Sequence, residues 1–194
     1  MPAADAELIA TDLACVRGGR TVFSGVSIHV RPGEALQVEG RNGAGKSSLL
    51  RILAGLLAPA GGILANGFTC AWLGAEATLK AGRSLRSELL YWASLDNQGP
   101  DSVDSALAAF DLAPLADLPV EILSSGQRRR AALARVHASA ARLWLLDEPA
   151  VGLDTASLHR LAQAVHIHRS TGGAVIVATH GDIGLDAPAR LVLS

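Results

Sequence analysis

A glycine-rich stretch that ends in Lys-Ser is the first part of this sequence that could do chemistry. Residues 40–47 are Gly-Arg-Asn-Gly-Ala-Gly-Lys-Ser, which fits the pattern G-x-x-x-x-G-K-[ST]. In such a loop, glycines let backbone N–H groups point at phosphates, and the start of the next helix adds partial positive charge. We expect Lys46 to reach the terminal phosphates and the Ser47 hydroxyl to bind Mg²⁺. The predicted phosphate-binding residues are Gly40, Arg41, Asn42, Gly43, Ala44, Gly45, Lys46, Ser47 and Ser48.

Two adjacent carboxylates end an apolar run farther along the chain. Asp147 and Glu148 directly follow Leu143–Leu146. We expect Asp147 to hold Mg²⁺ through its water shell, and Glu148 to act as general base on a water in line with the γ-phosphate. The pair could instead cap the helix that follows. The buried strand before the pair and the phosphate loop upstream favour the catalytic interpretation. A phosphate loop alone could belong to a kinase, a GTPase or a transport ATPase, and the Asp-Glu pair narrows this choice of enzyme class.

The elements that must position these groups can be read from the hydrophobic pattern. A short strand over Ala35–Glu39 is expected before the phosphate loop, and a helix over Ser47–Leu57 after it. Leu143–Leu146 and Ala174–Ala178 are short apolar runs with a predicted helix, Thr155–Arg169, between them. This order of strand, helix and strand predicts a parallel sheet with helices packed on it.

The remaining segments complete one predicted domain that spans the whole chain. Apolar and polar residues alternate over Val26–Val30, which predicts a half-buried strand, and Gly61–Gly67 looks like a hairpin region. The pattern over residues 85–119 is helical and interrupted by prolines. We interpret residues 76–122 as a small inserted helical subdomain. Another helix is expected to begin near Ser125.

Composition limits the kind of partner. A net charge of −1 and a pI near 6.6 argue against broad electrostatic binding to nucleic acid or to an anionic membrane. Cys15 and Cys70 form no metal or haem-attachment motif, which is typical of a reduced, cytosolic protein. No apolar run approaches the roughly 18 residues that span a bilayer, and the N-terminus lacks secretory-signal features. Mean hydropathy is nevertheless +0.31, which indicates an apolar face covered by a partner or the buried strands of a parallel sheet.

A polar pentad, Leu-Ser-Ser-Gly-Gln at residues 123–127, opens a predicted helix and offers no base, carboxylate or metal ligand. With a phosphate loop upstream and an Asp-Glu pair downstream, the order of motifs resembles that of ATP-binding cassette (ABC) ATPases. The family signature is Leu-Ser-Gly-Gly-Gln, and this chain differs from it at Ser125. The resemblance implies an α/β P-loop NTPase fold: a RecA-like parallel-sheet core, an N-terminal antiparallel β region and a small inserted helical subdomain.

The resemblance also explains why the pentad contains no base, carboxylate or metal ligand. In the family, this segment offers hydroxyl and backbone N–H groups to the γ-phosphate of an ATP held by a second subunit. The residues concerned are Ser124, Ser125, Gly126 and Gln127. An ordinary serine helix cap is the alternative interpretation. We expect Arg128–Arg130, the next residues, to form a solvated face of that helix.

Two later motifs match the family in order. Gly152-Leu-Asp154 stands where the family has a loop that crosses the dimer interface. His180 follows an apolar run at the position of the family's γ-phosphate-sensing histidine, although a lone histidine after a strand is more often structural. The resemblance thus implies catalytic roles for Lys46, Glu148 and His180, with ATP and Mg²⁺ as cofactors.

Two positions depart from the family pattern. The aromatic residue that stacks on adenine in many relatives should fall near Arg17, whose planar guanidinium is the candidate to replace it. The glutamine that links Mg²⁺ to the membrane partner should follow Trp72–Gly74, where Ala75 and Glu76 stand instead. We therefore expect phosphate contacts to dominate nucleotide binding.

Several stretches are similar to one branch of the family, the ATP-binding subunits of the haem exporters of bacterial cytochrome c maturation. They are Arg20–Gly25, Gly40–Leu50, Trp72–Gly74 with Leu79-Lys80, and Leu123–Arg135. This similarity implies a homodimer on the cytoplasmic face of the bacterial inner membrane, bound to transmembrane subunits of the CcmB and CcmC type. Two alternatives stay open: the ATPase subunit of another small ABC transporter, and a non-transport, ATP-gated assembly clamp.

Overall fold

The computed structural model describes residues 6–74 and 79–194 as eight strands, five α-helices and two short 3₁₀ turns. The strands are β1 (Leu8–Arg17), β2 (Arg20–Val30), β3 (Ala35–Gly40), β4 (Gly61–Asn66), β5 (Cys70–Leu73), β6 (Leu143–Asp147), β7 (Ala174–Ala178) and β8 (Ala189–Leu193). The helices are α1 (Lys46–Leu53), α2 (Leu85–Leu95), α3 (Pro100–Ala109), α4 (Ser125–Ala138) and α5 (Thr155–Ser170), and the 3₁₀ turns are Ala113–Leu115 and Val120–Ile122.

The strands form two sheets. Five parallel strands follow the order β5-β6-β7-β3-β8, and three antiparallel strands follow the order β2-β1-β4. In the parallel sheet, Ala178 of β7 pairs with Val38 on one side and with Asp147 on the other. The carboxyl ends of β3 and β6 therefore lie at the same edge of the sheet, with β7 between them. The phosphate loop and the Asp-Glu pair follow these two ends.

Alternate residues of the central strands face two different cores, as expected for a sheet covered on both sides. Trp144 and Leu146 pack with α2 to α5 on one face of the sheet. Leu143 and Leu145 pack with α1 and the antiparallel sheet on the other face. The near-continuous apolar runs of β6 and β7 follow from this arrangement, because both faces of each strand are buried.

The predicted α/β architecture with an N-terminal antiparallel region is confirmed, with two local corrections. Helix α1 ends at Leu53 rather than Leu57, because Gly55 turns the chain with φ +73°. The predicted hairpin at Gly61–Gly67 is wrong: the segment holds a single strand, β4, which pairs with the distant β1. Local turn residues alone did not reveal this long-range pairing.

The helices between residues 85 and 122 belong to the same core as α4. Leu89 of α2 and Val103 of α3 are fully buried in the cluster that also holds Leu133 of α4. An inserted helical subdomain at 76–122 stays a prediction. Ala75 and Glu76, which stand in place of the expected glutamine, lie outside the described residues.

Rings of tryptophan and histidine fill the core between β6, α4 and α5. The His168 ring stacks on Trp144 with ring centroids 4.0 Å apart, and His137 lies 5.9 Å from the same Trp144 ring. Burial lowers the pKa of His168 to about 4 and also lowers the pKa of His137. A Cβ atom on Gly173 would lie 2.2 Å from His168 Nε2, so the cluster leaves no room for any side chain there. Both lowered pKa values favour the neutral form of these imidazoles at neutral pH.

Candidate functional site

The phosphate loop links the carboxyl end of β3 to the first residue of α1. Gly45 caps α1 with φ +98°, and Gly40 at the start of the loop has φ +147°. A Cβ on Gly40 would lie 2.5 Å from the carbonyl oxygen of Leu193, so β8 packs directly against the start of the loop. These left-handed or extended positive-φ conformations are ones that glycine adopts readily. The loop is thereby built on the edge where β3 and β6 end.

A cavity of about 330 Å³ lies between this loop and the Asp-Glu pair. Its lining residues are Val22, Arg41, Asn42, Gly43, Gly45, Lys46, Ser47, Ser48, Asp147 and Glu148. The structure therefore brings the two predicted motifs together, although Gly40 and Ala44 of the loop are not among the residues that line the cavity. Val22 of β2 was missed from the sequence, where nothing distinguishes it from other strand residues.

The Lys46 ammonium group belongs to a compact polar network at the edge of the cavity. Its Nζ donates to the Gly40 carbonyl at 2.8 Å and lies 2.9 Å from His180 Nε2. The same imidazole nitrogen lies 3.0 Å from Asn42 Oδ1 and 3.5 Å from Glu148 Oε1. Because a ring nitrogen carries either a lone pair or a proton, His180 can satisfy only one kind of neighbour at a time. His180 Nε2 therefore either accepts from the Lys46 ammonium group or donates to Asn42 and Glu148, but not both.

The Asp-Glu pair occupies an unusual turn at the end of β6. Asp147 is only 3% exposed, and Glu148 adopts φ +46°, in the left-handed region. The Glu148 N–H donates to the Ala178 carbonyl at 2.8 Å. A non-glycine residue in this region costs on the order of 1–3 kcal/mol and persists only where its surroundings hold it. Glu148 is therefore held in place by neighbouring structure.

The donor set of the cavity suits a hard cation. Ser47 and Asp147 present a hydroxyl and a carboxylate, and oxygen ligands are the ones that Mg²⁺ prefers. Within residues 6–74 and 79–194 there is no group of three or more His, Cys, Asp or Glu side chains arranged to hold a metal. Magnesium commonly uses one or two protein ligands together with water and substrate phosphates. The residues present match that mode.

The pentad caps α4. The Ser124 hydroxyl accepts from the Gln127 N–H at 3.2 Å, and Gln127 Oε1 accepts from the Ser124 N–H at 2.8 Å, which is a capping box. The Ser124 hydroxyl proton stays available to an anion, because in this bond the oxygen only accepts. None of the pentad residues belongs to the described lining of the phosphate cavity. The structure thus brings Lys46, Asp147, Glu148 and His180 together and leaves the pentad elsewhere on the surface.

The sequence of this chain is similar to those of known ATP-binding proteins. The sequence profile of the ABC transporter family matches residues 23–151. The chain belongs to the ABC transporter family. Three relatives share the name cytochrome c biogenesis ATP-binding export protein CcmA. The one from Rhodospirillum rubrum is 47% identical and the alignment covers 99% of this chain and 88% of the relative.

The other two CcmA relatives match over similar lengths. That of Sphingopyxis alaskensis is 46% identical with 96% of each chain covered, and that of Gluconobacter oxydans is 49% identical with 90% of this chain and 82% of the relative covered. Among solved structures, an ABC transporter ATP-binding protein of Pyrococcus furiosus superposes with a TM-score of 0.84 at 24% identity, covering 96% of this chain and 97% of that one. That likeness confirms the ABC ATPase fold.

In this ABC ATPase, two of the three arginines after the pentad, Arg129 and Arg130, are not part of the solvated face that the sequence predicts. Arg129 is 6% exposed, and its guanidinium donates to carbonyls at the end of β6. Arg130 Nη1 donates to the Phe110 carbonyl at 3.0 Å. Burial lowers the pKa of Arg129, an effect that the nearby Asp147 and Glu148 oppose. Arg129 lies four residues before the buried Leu133, and this spacing was the available signal that it shares the helix face that packs inward.

The pentad lies beside the predicted interface loop of the same chain. A Cβ on Gly126 would lie 3.1 Å from the Gly152 carbonyl oxygen. Asp154 caps α5 by accepting from the Ser157 N–H at 2.8 Å, and hydrogen bonds from Ser157 lower the pKa of Asp154. The apolar residues Ile122 and Val151 next to these two segments are 61% and 65% exposed. Together they form one exposed surface around the pentad, which we call the pentad face.

A second, mostly apolar groove of about 470 Å³ opens beside β5, the edge strand of the parallel sheet. It is lined by Leu56, Cys70, Ala71, Trp72, Trp92, Leu95, Asp96, Arg135, Val136 and Ser139. The Arg135 guanidinium lies 4.7 Å from the Trp92 ring centroid and donates to the Trp72 carbonyl at 2.7 Å. Leu56 and Leu95 are largely exposed at its rim. We call this the β5 groove.

The predicted adenine contact lies at the tip of the β1–β2 hairpin. Arg17 is exposed and pairs with Arg20 across a turn made by two glycines. It does not appear among the described residues that line the phosphate cavity, whereas Val22 of the same hairpin does. Stacking of Arg17 on adenine stays a prediction. No helix among the described residues is long and apolar enough to cross a bilayer.

Proposed function

We propose that this chain is the ATP-hydrolysing subunit of an export complex for cytochrome c maturation, with haem export as its role. The observation that supports this most directly is its likeness to CcmA proteins along nearly its whole length, at 47% identity to the Rhodospirillum rubrum relative. The phosphate cavity supplies the chemistry that such a subunit needs. The structure brings the phosphate loop, the Asp-Glu pair and His180 into a single network around this cavity.

Each group of the cavity has a distinct task in this proposal. The loop N–H groups and Lys46 bind the phosphates, and binding requires Lys46 to exchange its contacts with Gly40 and His180 for phosphate oxygens. Mg²⁺, held by Ser47 and Asp147, would offset negative charge on the phosphates. Glu148 takes the proton of the attacking water. His180, 3.5 Å from the Glu148 carboxylate, contacts the γ-phosphate and holds that carboxylate in position.

The pentad face is proposed to bind a second copy of this chain. The Ser124 hydroxyl accepts from the Gln127 N–H and keeps its own proton for another acceptor, and Ser124 is not among the residues that line the phosphate cavity; both observations support contact with a nucleotide bound to another chain. Exposed Ile122 and Val151 beside it supply apolar surface for a partner to cover. Two chains would close head to tail around two ATP molecules, with the pentad of each chain facing the phosphate loop of the other.

The β5 groove is proposed to receive a segment of a transmembrane subunit of the CcmB or CcmC type. Its lining combines two tryptophans with exposed leucines, which suits an apolar segment of a partner that itself crosses the membrane. Since the described residues include no membrane-spanning helix, such a partner would hold this chain at the cytoplasmic face of the inner membrane. In this arrangement the helical segment 76–122, which contributes Trp92 and Leu95 to the groove, acts as the subdomain that meets the partner.

A genetic test addresses the proposed role. A strain that lacks this protein is expected to lose covalent c-type cytochromes and to keep b-type cytochromes, measured by haem staining and spectra. Wild-type protein and the exposed-lysine control Lys80→Ala should restore the c-type cytochromes, and Lys46→Ala should not, because only Lys46 lines the phosphate cavity. Normal c-type cytochromes in the deletion strain would favour a transporter of another substrate.

Biochemistry separates the proposed transporter subunit from an assembly clamp. We expect ATP hydrolysis by the purified chain to rise when the membrane subunits are added, because a coupled ATPase depends on its partner. A clamp would bind ATP and partners with little turnover, with or without membrane subunits. The measurement is phosphate release in detergent or in reconstituted vesicles.

A further inference from the structure

The turn that carries the general base is held by one buried side chain from another element. Arg129 of α4 donates through Nη2 to the carbonyls of Asp147 at 2.8 Å and Glu148 at 2.6 Å. Its Nε donates to the Pro149 carbonyl at 3.3 Å. Three consecutive carbonyls, from the last residue of β6 onward, therefore share a single guanidinium group.

The same guanidinium also reaches the neighbouring strand. Arg129 Nη1 donates to the Gly74 carbonyl at 2.8 Å, just after the end of β5. Burying a guanidinium is costly, and it is tolerated only where its donors find acceptors. Arg129 is 6% exposed, so its cost of burial is balanced by these carbonyls. Most of these hydrogen bonds are made to Glu148 and its two neighbours in the chain, where the backbone is strained because Glu148 has the left-handed φ of +46°.

We propose that Arg129 is a positioning residue for Glu148, fixing the strained backbone turn so that the carboxylate faces the phosphate cavity. This proposal rests on the role of Glu148 as general base in the proposed function. The Glu148 N–H is fixed by Ala178 and its carbonyl by Arg129, so the peptide groups on both sides of its Cα are anchored. Without Arg129, the turn can relax toward an ordinary right-handed φ, and the direction of the side chain changes with it.

A lysine cannot substitute for this arginine. The guanidinium presents five N–H donors in a rigid, planar fork, whereas an ammonium group is a compact point donor. Arg129→Lys keeps the charge and most of the length but can reach only part of the four carbonyls. Because a misplacement of about 1 Å can cost about 100-fold in rate, we expect kcat of Arg129→Lys to fall about 100-fold. The KM for ATP should stay within about twofold, because Arg129 does not line the phosphate cavity.

The neighbouring Arg130 offers a matched control. It too is largely buried and donates to backbone carbonyls, those of Phe110 and Asp111, but these lie far along the chain from the Glu148 turn. Arg130→Lys should cost comparable thermal stability and leave kcat within about twofold. Equal losses of kcat in both variants would show that any weakening of α4 slows turnover, and would overturn the proposal. Failure of Arg129→Lys to fold, where Arg130→Lys folds, would assign Arg129 a purely structural role and also overturn it.

A second readout does not depend on turnover. Amide hydrogen exchange of the peptide covering residues 144–151 should be faster in Arg129→Lys than in wild type, while exchange in α5 and β8 stays unchanged. Arg130→Lys should leave the 144–151 peptide as in wild type. Unchanged exchange of this peptide in Arg129→Lys would contradict the proposal. If wild-type protein hydrolyses no ATP, the proposed function fails, and the exchange result still decides whether Arg129 holds the turn.

Discussion

Replacing Glu148 by glutamine removes the proposed base and little else. The backbone of the turn is held by the N–H bond to the Ala178 carbonyl and by Arg129 at the Glu148 carbonyl, and the substitution leaves both bonds intact. Glutamine has nearly the same volume and can keep a contact with His180, which lies 3.5 Å from the carboxylate. We therefore expect the thermal midpoint of Glu148→Gln to stay close to that of wild type.

The expected loss is in the chemical step. A positioned general base contributes about 10²–10⁴-fold to the rate, which corresponds to roughly 2.7–5.5 kcal/mol of transition-state stabilisation. ATP affinity should be kept or improved, because a negative charge beside the γ-phosphate is removed. The buried Asp147, which is proposed to hold Mg²⁺, is unaffected. Glu148→Gln should thus separate binding from hydrolysis.

Two assays on the same preparation measure this. Steady-state phosphate release with Mg²⁺ and ATP gives kcat, and fluorescence of a labelled ATP analogue gives the Kd. Glu121→Gln, at an exposed glutamate before the pentad, is the control and should keep both values within about twofold of wild type. The smallest loss of kcat expected for removal of a general base is about 100-fold. If Glu148→Gln instead retains more than about a tenth of the wild-type kcat, the base lies elsewhere and the role assigned to this turn is wrong.

Four further outcomes follow from the structure. Burial lowers the folded-state pKa of His168 to about 4, so the unfolded chain binds a proton there first as the pH falls below about 6.5. The free energy of unfolding should therefore fall by up to about 3 kcal/mol between pH 6.5 and 4. Urea unfolding should show this loss in wild type and a smaller one in His168→Leu. Gly173→Ala should destabilise the fold, because the new Cβ clashes with His168. The double variant with His168→Ala should lose less free energy of unfolding than the two single variants lose together, and additive losses would argue against the clash. Chains carrying Gly126→Asp and chains carrying Lys46→Ala should each be inactive, and mixing them should restore activity in proportion to heterodimer content; loss of hydrolysis in an otherwise active monomer bearing Gly126→Asp would instead place the pentad's action in its own chain. With Arg17 in place of an aromatic, GTP should compete with ATP within about tenfold in a binding assay, and much stronger discrimination would reveal a base contact elsewhere.

The phosphate cavity was largely predictable because its motifs are local. Residues 40–48 carry the loop, its capping glycine and its lysine within one contiguous stretch, and Asp147 and Glu148 follow an apolar strand that can be recognised alone. Their meeting also follows from sequence, since parallel strands bring their carboxyl ends to one edge. These parts need no knowledge of distant contacts.

The parts that sequence missed depend on distant partners. The spacing to Leu133 places Arg129 on the inward face of α4, but it does not show which groups receive its hydrogen bonds, because these are carbonyls at the ends of β6 and β5 whose positions only the fold defines. The capping box of the pentad is local, yet it cannot show which subunit's nucleotide Ser124 faces. The supposed hairpin at Gly61–Gly67 failed for the same reason, since the partner of β4 is β1. The hydrogen-bond partners of a buried charge and the pairing of strands are both non-local properties.

The position of β3 in the parallel sheet has a consequence for folding of the chain during its synthesis. Its two neighbours are β7 and β8, whose residues 174–193 come long after the phosphate loop in the order of synthesis. Contacts between such distant segments form slowly, because a long loop must close first. A nascent chain stalled before residue 174 already contains every residue of the phosphate loop, but β3 then has no strand on either side and Gly40 has no β8 to pack against. We therefore expect ATP to stabilise only those chains in which residues 174–193 have been synthesised and can pack beside β3.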